Sequence, residues 1–427
     1  MVQNTRLSES HIPWLTFILL TILFFLIIGH DFTFPLREQV DASAEMFEEM
    51  IQEGNPLRRI SLAVLVLLAM SLLIFPKKQR WQPDLILSGL IIFLIVWSIA
   101  STLWSEDQML TLRRLSVFAA FWLTTTALAL RFPILQLPYF ALFSATIFLV
   151  IGLATEIATG TFTPFLKEYR FMGTIHPNVQ GENCALLFLS TLILSVNRTT
   201  RRKYFIILCL IALVFLIFSK SRTSFVSALL AVLIFFIIAK PWDFKKIIIL
   251  CGLSGLVLVL GFIILNLTNE GITTVYSGVN LGRDIYDLDT LNGRLRIWNL
   301  CLTYVSQQPL LGYGYDSFWT VNNIVQLSSV VGWGLKSAHC AYIELLLSVG
   351  IIGAVIFLSM IGYGVYQSFK RWRAVPDNAG YGFIFLILIF YLLQGLLESR
   401  LGQMGYGVFL ILWGLSHLAL IKTNETV

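Results

Sequence analysis

The chain has 427 residues, 57% of them hydrophobic and only 13% charged, with a formal net charge of +6. Soluble domains carry about 25% charged residues, so this composition excludes an ordinary soluble enzyme and predicts a polytopic membrane protein. The apolar runs are continuous rather than alternating, which excludes an outer-membrane barrel, and no basic stretch is long enough to track nucleic acid.

Apolar runs that could span a bilayer occur at 14–29, 57–75, 84–103, 115–130, 137–157, 180–197, 204–219, 223–239, 247–267, 340–366, 381–397 and 404–421. The first lacks a small-x-small cleavage site, so it is read as a retained span rather than a signal peptide. The fold class that follows is all-α: a single transmembrane domain over 1–427, with about 12 helices. One large loop, 268–338, lies between the ninth and tenth spans and holds short helices.

Orientation follows from basic residues in the short connections. Lys77, Lys78 and Arg80, then Arg198 to Lys203, Lys240 to Lys246 and Lys370 to Arg373 all fall on one side. That side is predicted to be cytoplasmic, together with both termini. The large loop is then periplasmic, in a bacterial inner membrane. The opposite side carries mostly arginines: Arg113, Arg114, Arg170, Arg222, Arg283, Arg294, Arg296 and Arg400. Arginine presents a planar fork suited to phosphate, but it also pairs with acids or snorkels to headgroups. We assign the second use to Arg113, Arg114 and Arg283, and ligand binding to Arg222 and Arg294.

Arg222 sits in Ser219-Lys220-Ser221-Arg222-Thr223-Ser224, a tight turn whose serines and free N–H groups suit an anion. Arg294 and Arg296 open a stretch with apolar residues at Leu295, Trp298, Cys301, Leu302 and Val305, the spacing of an amphipathic helix. Two residues apart on a helix, the two arginines point in different directions, so one of them faces the cleft. Of five cysteines, Cys184, Cys209 and Cys251 lie in apolar runs, while Cys301 and Cys340 lie near the loop and leave a bridge open.

His339 lies where the polar loop gives way to an apolar helix, with Ser337 before it as a cap. A helix N-terminus disfavours imidazolium, so this ring is expected to stay neutral and able to accept a proton. A residue that merely hydrogen-bonds a carbonyl at the interface would look the same. His176 is read as a turn residue and Asn178 as the cap of a helix beginning near Gln180. Glu398 and Arg400 are read, with His176 as a weaker candidate, as groups that support the site from behind.

These stretches resemble the bacterial O-antigen ligase and polymerase superfamily. His339-Cys340, nine residues, Gly350, two residues and Gly353 is similar to the family's histidine and Gly-x-x-Gly signature. Asn292 to Trp298 resembles its Gly-Arg stretch, Pro309 to Gly314 its Pro-x-x-Gly-x-Gly stretch, and Ser221-Arg222 its Ser-Arg. Trp104-Ser105-Glu106-Asp107 resembles a recurring loop. Cys340 departs from the Asn, Ser or Gln usual after the histidine, and a thiol is a poorer hydrogen-bond partner.

The resemblance implies a metal-independent, cofactor-free glycosyltransferase moving a glycan from an undecaprenyl diphosphate carrier to a sugar hydroxyl. The acceptor is lipid A–core in a ligase or a growing glycan in a polymerase. His339 would be the base, and Arg222, Arg294 and Arg296 the diphosphate-binding group. A secondary transporter is the alternative from another class. It is opposed by the lack of half-to-half similarity and of mid-span ionisable groups.

Overall fold

The computed structural model describes residues 13–36, 55–74, 81–166, 168–196, 201–239, 291–332 and 334–421. Within them lie thirteen α-helices and no β-strand. Eight precede the large loop: α1 (Trp14–Ile28), α2 (Pro56–Ile74), α3 (Leu85–Ala100), α4 (Gln108–Arg131), α5 (Gln136–Thr159), α6 (Pro177–Val196), α7 (Arg202–Phe218) and α8 (Arg222–Ala239). Residues 291–331 add α9 (Leu291–Gln307) and α10 (Val321–Val331). The chain finishes with α11 (Ala341–Ala374), α12 (Ala379–Gln394) and α13 (Tyr406–Leu420).

Eleven of the twelve predicted apolar runs thus form helices, and the run 247–267 lies outside the described residues. Five of them, α2, α3, α5, α6 and α11, are long and apolar enough to cross a membrane. Their burial sorts them into layers. The most apolar window of α6 is 83% buried, whereas that of α2 is 17% buried and its apolar side chains point outwards. Along α12 and α13 nearly every side chain is buried, so these two helices form the centre of the bundle.

Hydrogen bonds between helix ends sort the described connections into two groups, one at each end of the bundle. One end gathers Arg201 to Lys203 before α7 and Lys370 to Arg373 at the end of α11. There Arg371 donates to the carbonyls of Leu418 and Ile421, and Gln367 to Asp84, which also caps α3. The other end gathers the turns that precede α4, α6, α8, α11 and α13. A second hydrophobic cluster caps that end, built from α9, α10, the 313–319 turn and the start of α11.

In α9 the buried side chains are Arg294, Ile297, Cys301 and Val305, a clean i, i+4 stripe over its last three members. Leu295 and Leu302, expected on the inner face, are exposed. The helix is rotated because Ile297 and Cys301 fit the cluster under α9 and those two leucines do not. Cys301 and Cys340 are both buried in this cluster and are free thiols.

The glycine-rich stretches are laced together. Gly350 breaks α11 with φ 66° and ψ −174°, so the signature glycine interrupts the helix rather than lying within it. The freed backbone bonds the other glycine motif: Ile351 N–H donates to the Pro309 carbonyl (2.8 Å) and Tyr313 N–H to that of Leu347 (2.8 Å). Trp97 reaches the Val349 carbonyl (3.0 Å) and Trp104 that of Leu311 (3.1 Å), which explains the tryptophan in the Trp104 to Asp107 loop. A Cβ on Gly350 would stand 2.2 Å from the Leu310 oxygen.

Gly350→Ala therefore combines a clash with a positive-φ extended backbone that is essentially reserved for glycine and costs another residue about 1–3 kcal/mol. It should lower the melting temperature of the detergent-solubilised protein clearly. Gly362→Ala, with open space around its Cβ, should not.

Candidate active site

Three residues other than glycine have positive φ among the described residues, and all lie at the capped end: Lys220 (50°), Asp316 (52°) and His339 (50°). Such conformations persist only where surrounding contacts hold them, and they concentrate at functional sites. Two of the three fall in stretches already singled out from sequence.

The turn before α8 is packed into the bundle. Ser219, Lys220 and Ser221 are buried, and a Cβ on Gly181 of α6 would meet the Ser221 Cβ at 2.4 Å. Ser221 N–H bonds Ser219 Oγ (3.3 Å), and Ser221 Oγ donates to Ser224 Oγ (3.0 Å). Ser224 also accepts from Gln394 at the end of α12 (3.1 Å), which sets Arg222 beside the connection that follows α12. Arg222 itself is half-buried at the first position of α8.

That connection carries Glu398, Ser399 and Arg400, and charged groups converge on it. Arg294 Nη2 pairs with Glu398 Oε1 (3.3 Å) while its Nη1 donates to the Leu397 carbonyl. Asn178 Nδ2 donates to the same Glu398 oxygen (3.2 Å), and Arg170 donates to Asn178 Oδ1 (3.0 Å) and the Ser219 carbonyl (3.4 Å). Arg400 reaches Glu182 Oε2 at 3.6 Å, and Tyr391 donates to the other oxygen of Glu182. The end of the bundle thus holds Arg294 and Arg400 paired with two carboxylates, with Arg170 and the Arg222 turn beside them.

His339 is half-exposed in the turn leading into α11. Its neighbours are fixed on both sides. Ala338 N–H donates to Glu344 (2.5 Å), the Ala338 carbonyl accepts from the Trp298 indole (3.0 Å), and Ala341 N–H donates to the Gly395 carbonyl (2.8 Å). The last bond joins the histidine turn directly to the end of α12. The helix cap is Cys340 through its backbone, with no side-chain bond; Ser337, expected to cap, is buried one turn earlier.

Further out, Arg114 pairs with Asp316 at 3.6 Å, in line with the pairing assigned to it from sequence. Burial pushes the Asp316 carboxyl above its ordinary range, and Arg114 and Arg58 pull it back. Arg283 lies outside the described residues.

The sequence model of the O-antigen ligase family matches residues 207–358, from α7 into α11. Over that stretch the chain is similar to the O-antigen ligase family. No curated protein matches the chain. The family is one of membrane glycosyltransferases acting on lipid-linked glycans, and several apolar helices agree with membrane embedding. The matched stretch contains Arg222, Arg294, Arg296 and His339, and ends before Glu398 and Arg400.

Within the O-antigen ligase stretch, the two neighbouring arginines separate as the helix geometry requires. Arg294 points inward, and Arg296 is exposed and donates to the Val330 carbonyl (2.6 Å). Glu398 and Arg400 do not pair with each other; each holds a partner on another helix. His176 is exposed, and its Nδ1 accepts from Asn178 N–H (3.2 Å), so it acts at the turn. Because α6 starts at Pro177, Asn178 is not its cap but a bridge between Arg170 and Glu398. Sequence reasoning gave no role to Glu344, Trp319 or Tyr391. The one local signal was a carboxylate in the first turn of an apolar helix, where the macrodipole favours it.

Proposed function

We propose that this protein is an O-antigen ligase that transfers a glycan from an undecaprenyl diphosphate carrier to a sugar hydroxyl of lipid A–core. The observation that carries the reading is the meeting, at one end of the bundle, of the His339 turn, the Arg222 turn and the Arg294–Glu398 connection. In this reading neutral His339 takes the proton of the acceptor hydroxyl as its oxygen forms a bond to the anomeric carbon. The bond from that carbon to the diphosphate breaks, and charge builds on the departing oxygen. Arg222 meets that charge, and Arg294 exchanges Glu398 for phosphate when the donor enters.

The capped end is periplasmic in this reading and the end with Arg201 to Lys203 and Lys370 to Arg373 is cytoplasmic, as the basic residues prescribe. Two arginines then do the work that a divalent metal does in other diphosphate transfers.

The test is transfer by the purified protein in liposomes, given a polyprenyl-diphosphate-linked glycan and lipid A–core, with chelator present. Glycan should appear on lipid A–core. Elongation of carrier-linked glycan without use of the acceptor would replace ligation by polymerisation. Loss of all transfer in chelator would overturn the arginine assignment.

A further inference from the structure

We infer that Glu344 is a positioning residue that holds the His339 turn in register with the arginine-bearing connection; this rests on His339 as the base. Glu344 lies in the first turn of α11 and is 8% exposed. Three donors from three parts of the chain converge on its carboxylate. They are the Trp319 indole N–H to Oε2 (2.8 Å), and the Ala338 N–H (2.5 Å) and Ser399 hydroxyl (3.2 Å) to Oε1.

Each of these donors has a place in the site. Ala338 immediately precedes His339, whose left-handed backbone needs support from its neighbours. Ser399 stands between Glu398, which pairs with Arg294, and Arg400, which pairs with Glu182. Trp319 closes the second hydrophobic cluster under α9, and Trp298 of α9 grips Ala338 from its other side. One carboxylate therefore ties the histidine backbone to the segment that carries the anion-binding charges.

The choice of residue type follows from donor counting. A carboxylate only accepts, and its three hydrogen-bond partners all donate. A glutamine of the same shape would turn its NH₂ towards an N–H or O–H, so one contact is lost and a donor is left facing a donor. The bundle would still fold around such a change, but the histidine turn would shift. A displacement of about 1 Å at a reacting group can cost about 10²-fold in rate.

The experiment measures transfer kinetics in proteoliposomes for Glu344→Gln, Ser399→Ala, His339→Ala and the double variant Glu344→Gln/His339→Ala. Glu344→Gln should lower kcat by about 10²-fold and leave KM for the donor within about threefold of wild type. Ser399→Ala, which deletes one donor and adds none, should lower kcat less, again at constant KM. It keeps the inference testable if Glu344→Gln reaches the membrane poorly. In the double variant the Glu344 change should cost nothing further, because a residue acting through His339 has no effect once His339 is gone.

His339→Ala alone reports on the base assignment. With that variant slowed by about 10²–10⁴-fold, a wild-type kcat in both Glu344→Gln and Ser399→Ala overturns the positioning role. So does an equal additional loss in the double variant, which would mark Glu344 as a purely structural residue.

Discussion

His339→Ala should nearly abolish glycan transfer while the protein reaches the membrane at normal levels and retains donor affinity. General-base assistance is worth about 10²–10⁴-fold in rate, and that is the loss expected in kcat. The turn around His339 is held by backbone bonds of Ala338 and Ala341, so the fold should survive removal of the ring. His339→Gln keeps a hydrogen-bonding group but cannot take a proton near neutral pH, so it should fail similarly. In cells both variants should accumulate lipid-linked glycan. A His339→Ala protein that transfers at the wild-type rate would reduce the histidine to an interfacial contact.

Arg222→Lys and Arg294→Lys should each lower transfer, because an ammonium cannot reproduce the two-pronged contact with a diphosphate. Removing one donor to developing charge costs about 10²–10³-fold in kcat, and we expect losses of that order. Arg294 needs a second arm, since it is buried against Glu398, only 6% exposed. Taking one partner from a buried pair costs about 3–5 kcal/mol through the charge left behind, so Arg294→Ala alone should destabilise the protein. Arg294→Ala with Glu398→Gln should restore the melting temperature but not transfer. Arg296→Ala should be close to silent, because its side chain is exposed and makes one carbonyl contact. The reverse pattern, with Arg296→Ala inactive and Arg294→Lys fully active, would exchange the two assignments.

Much of the architecture was legible because apolar runs of membrane length leave little choice but helix. The backbone has no water to bond, so each run closes its own ladder. The grouping of basic residues at one end was legible for a related reason, since consecutive helices must alternate in direction. Finer placement was not. The inner face of α9 could not be chosen from spacing, because Leu295 and Leu302 compete with Ile297 for that face and only the cluster beneath decides.

Glu344 escaped notice because its partners, Trp319 and Ser399, stand 25 and 55 residues away. The double glycine signature read as a smooth stretch of helix, yet Gly350 is where the helix stops obeying its own ladder and takes up another segment's bonds. His339, Arg222 and Arg294 were found from residue chemistry and resemblance. What joins them, the connection after α12, is a tertiary fact.

The break at Gly350 also turns chain length into a gauge. Below the histidine turn, α11 runs for nine residues before it is clasped by the Pro309 to Gly314 segment, a distance of roughly 14 Å. Its upper end is fastened to Gly395. With both ends pinned, the stretch 341–349 is an indexing rod: one residue more or fewer would swing the imidazole by about 100° and lift or lower it by about 1.5 Å. Composition along the rod is then free to drift wherever it faces lipid, while its length is not. The interval between the histidine and the first glycine is thus an address in space, set by where two distant parts of the chain take hold of one helix.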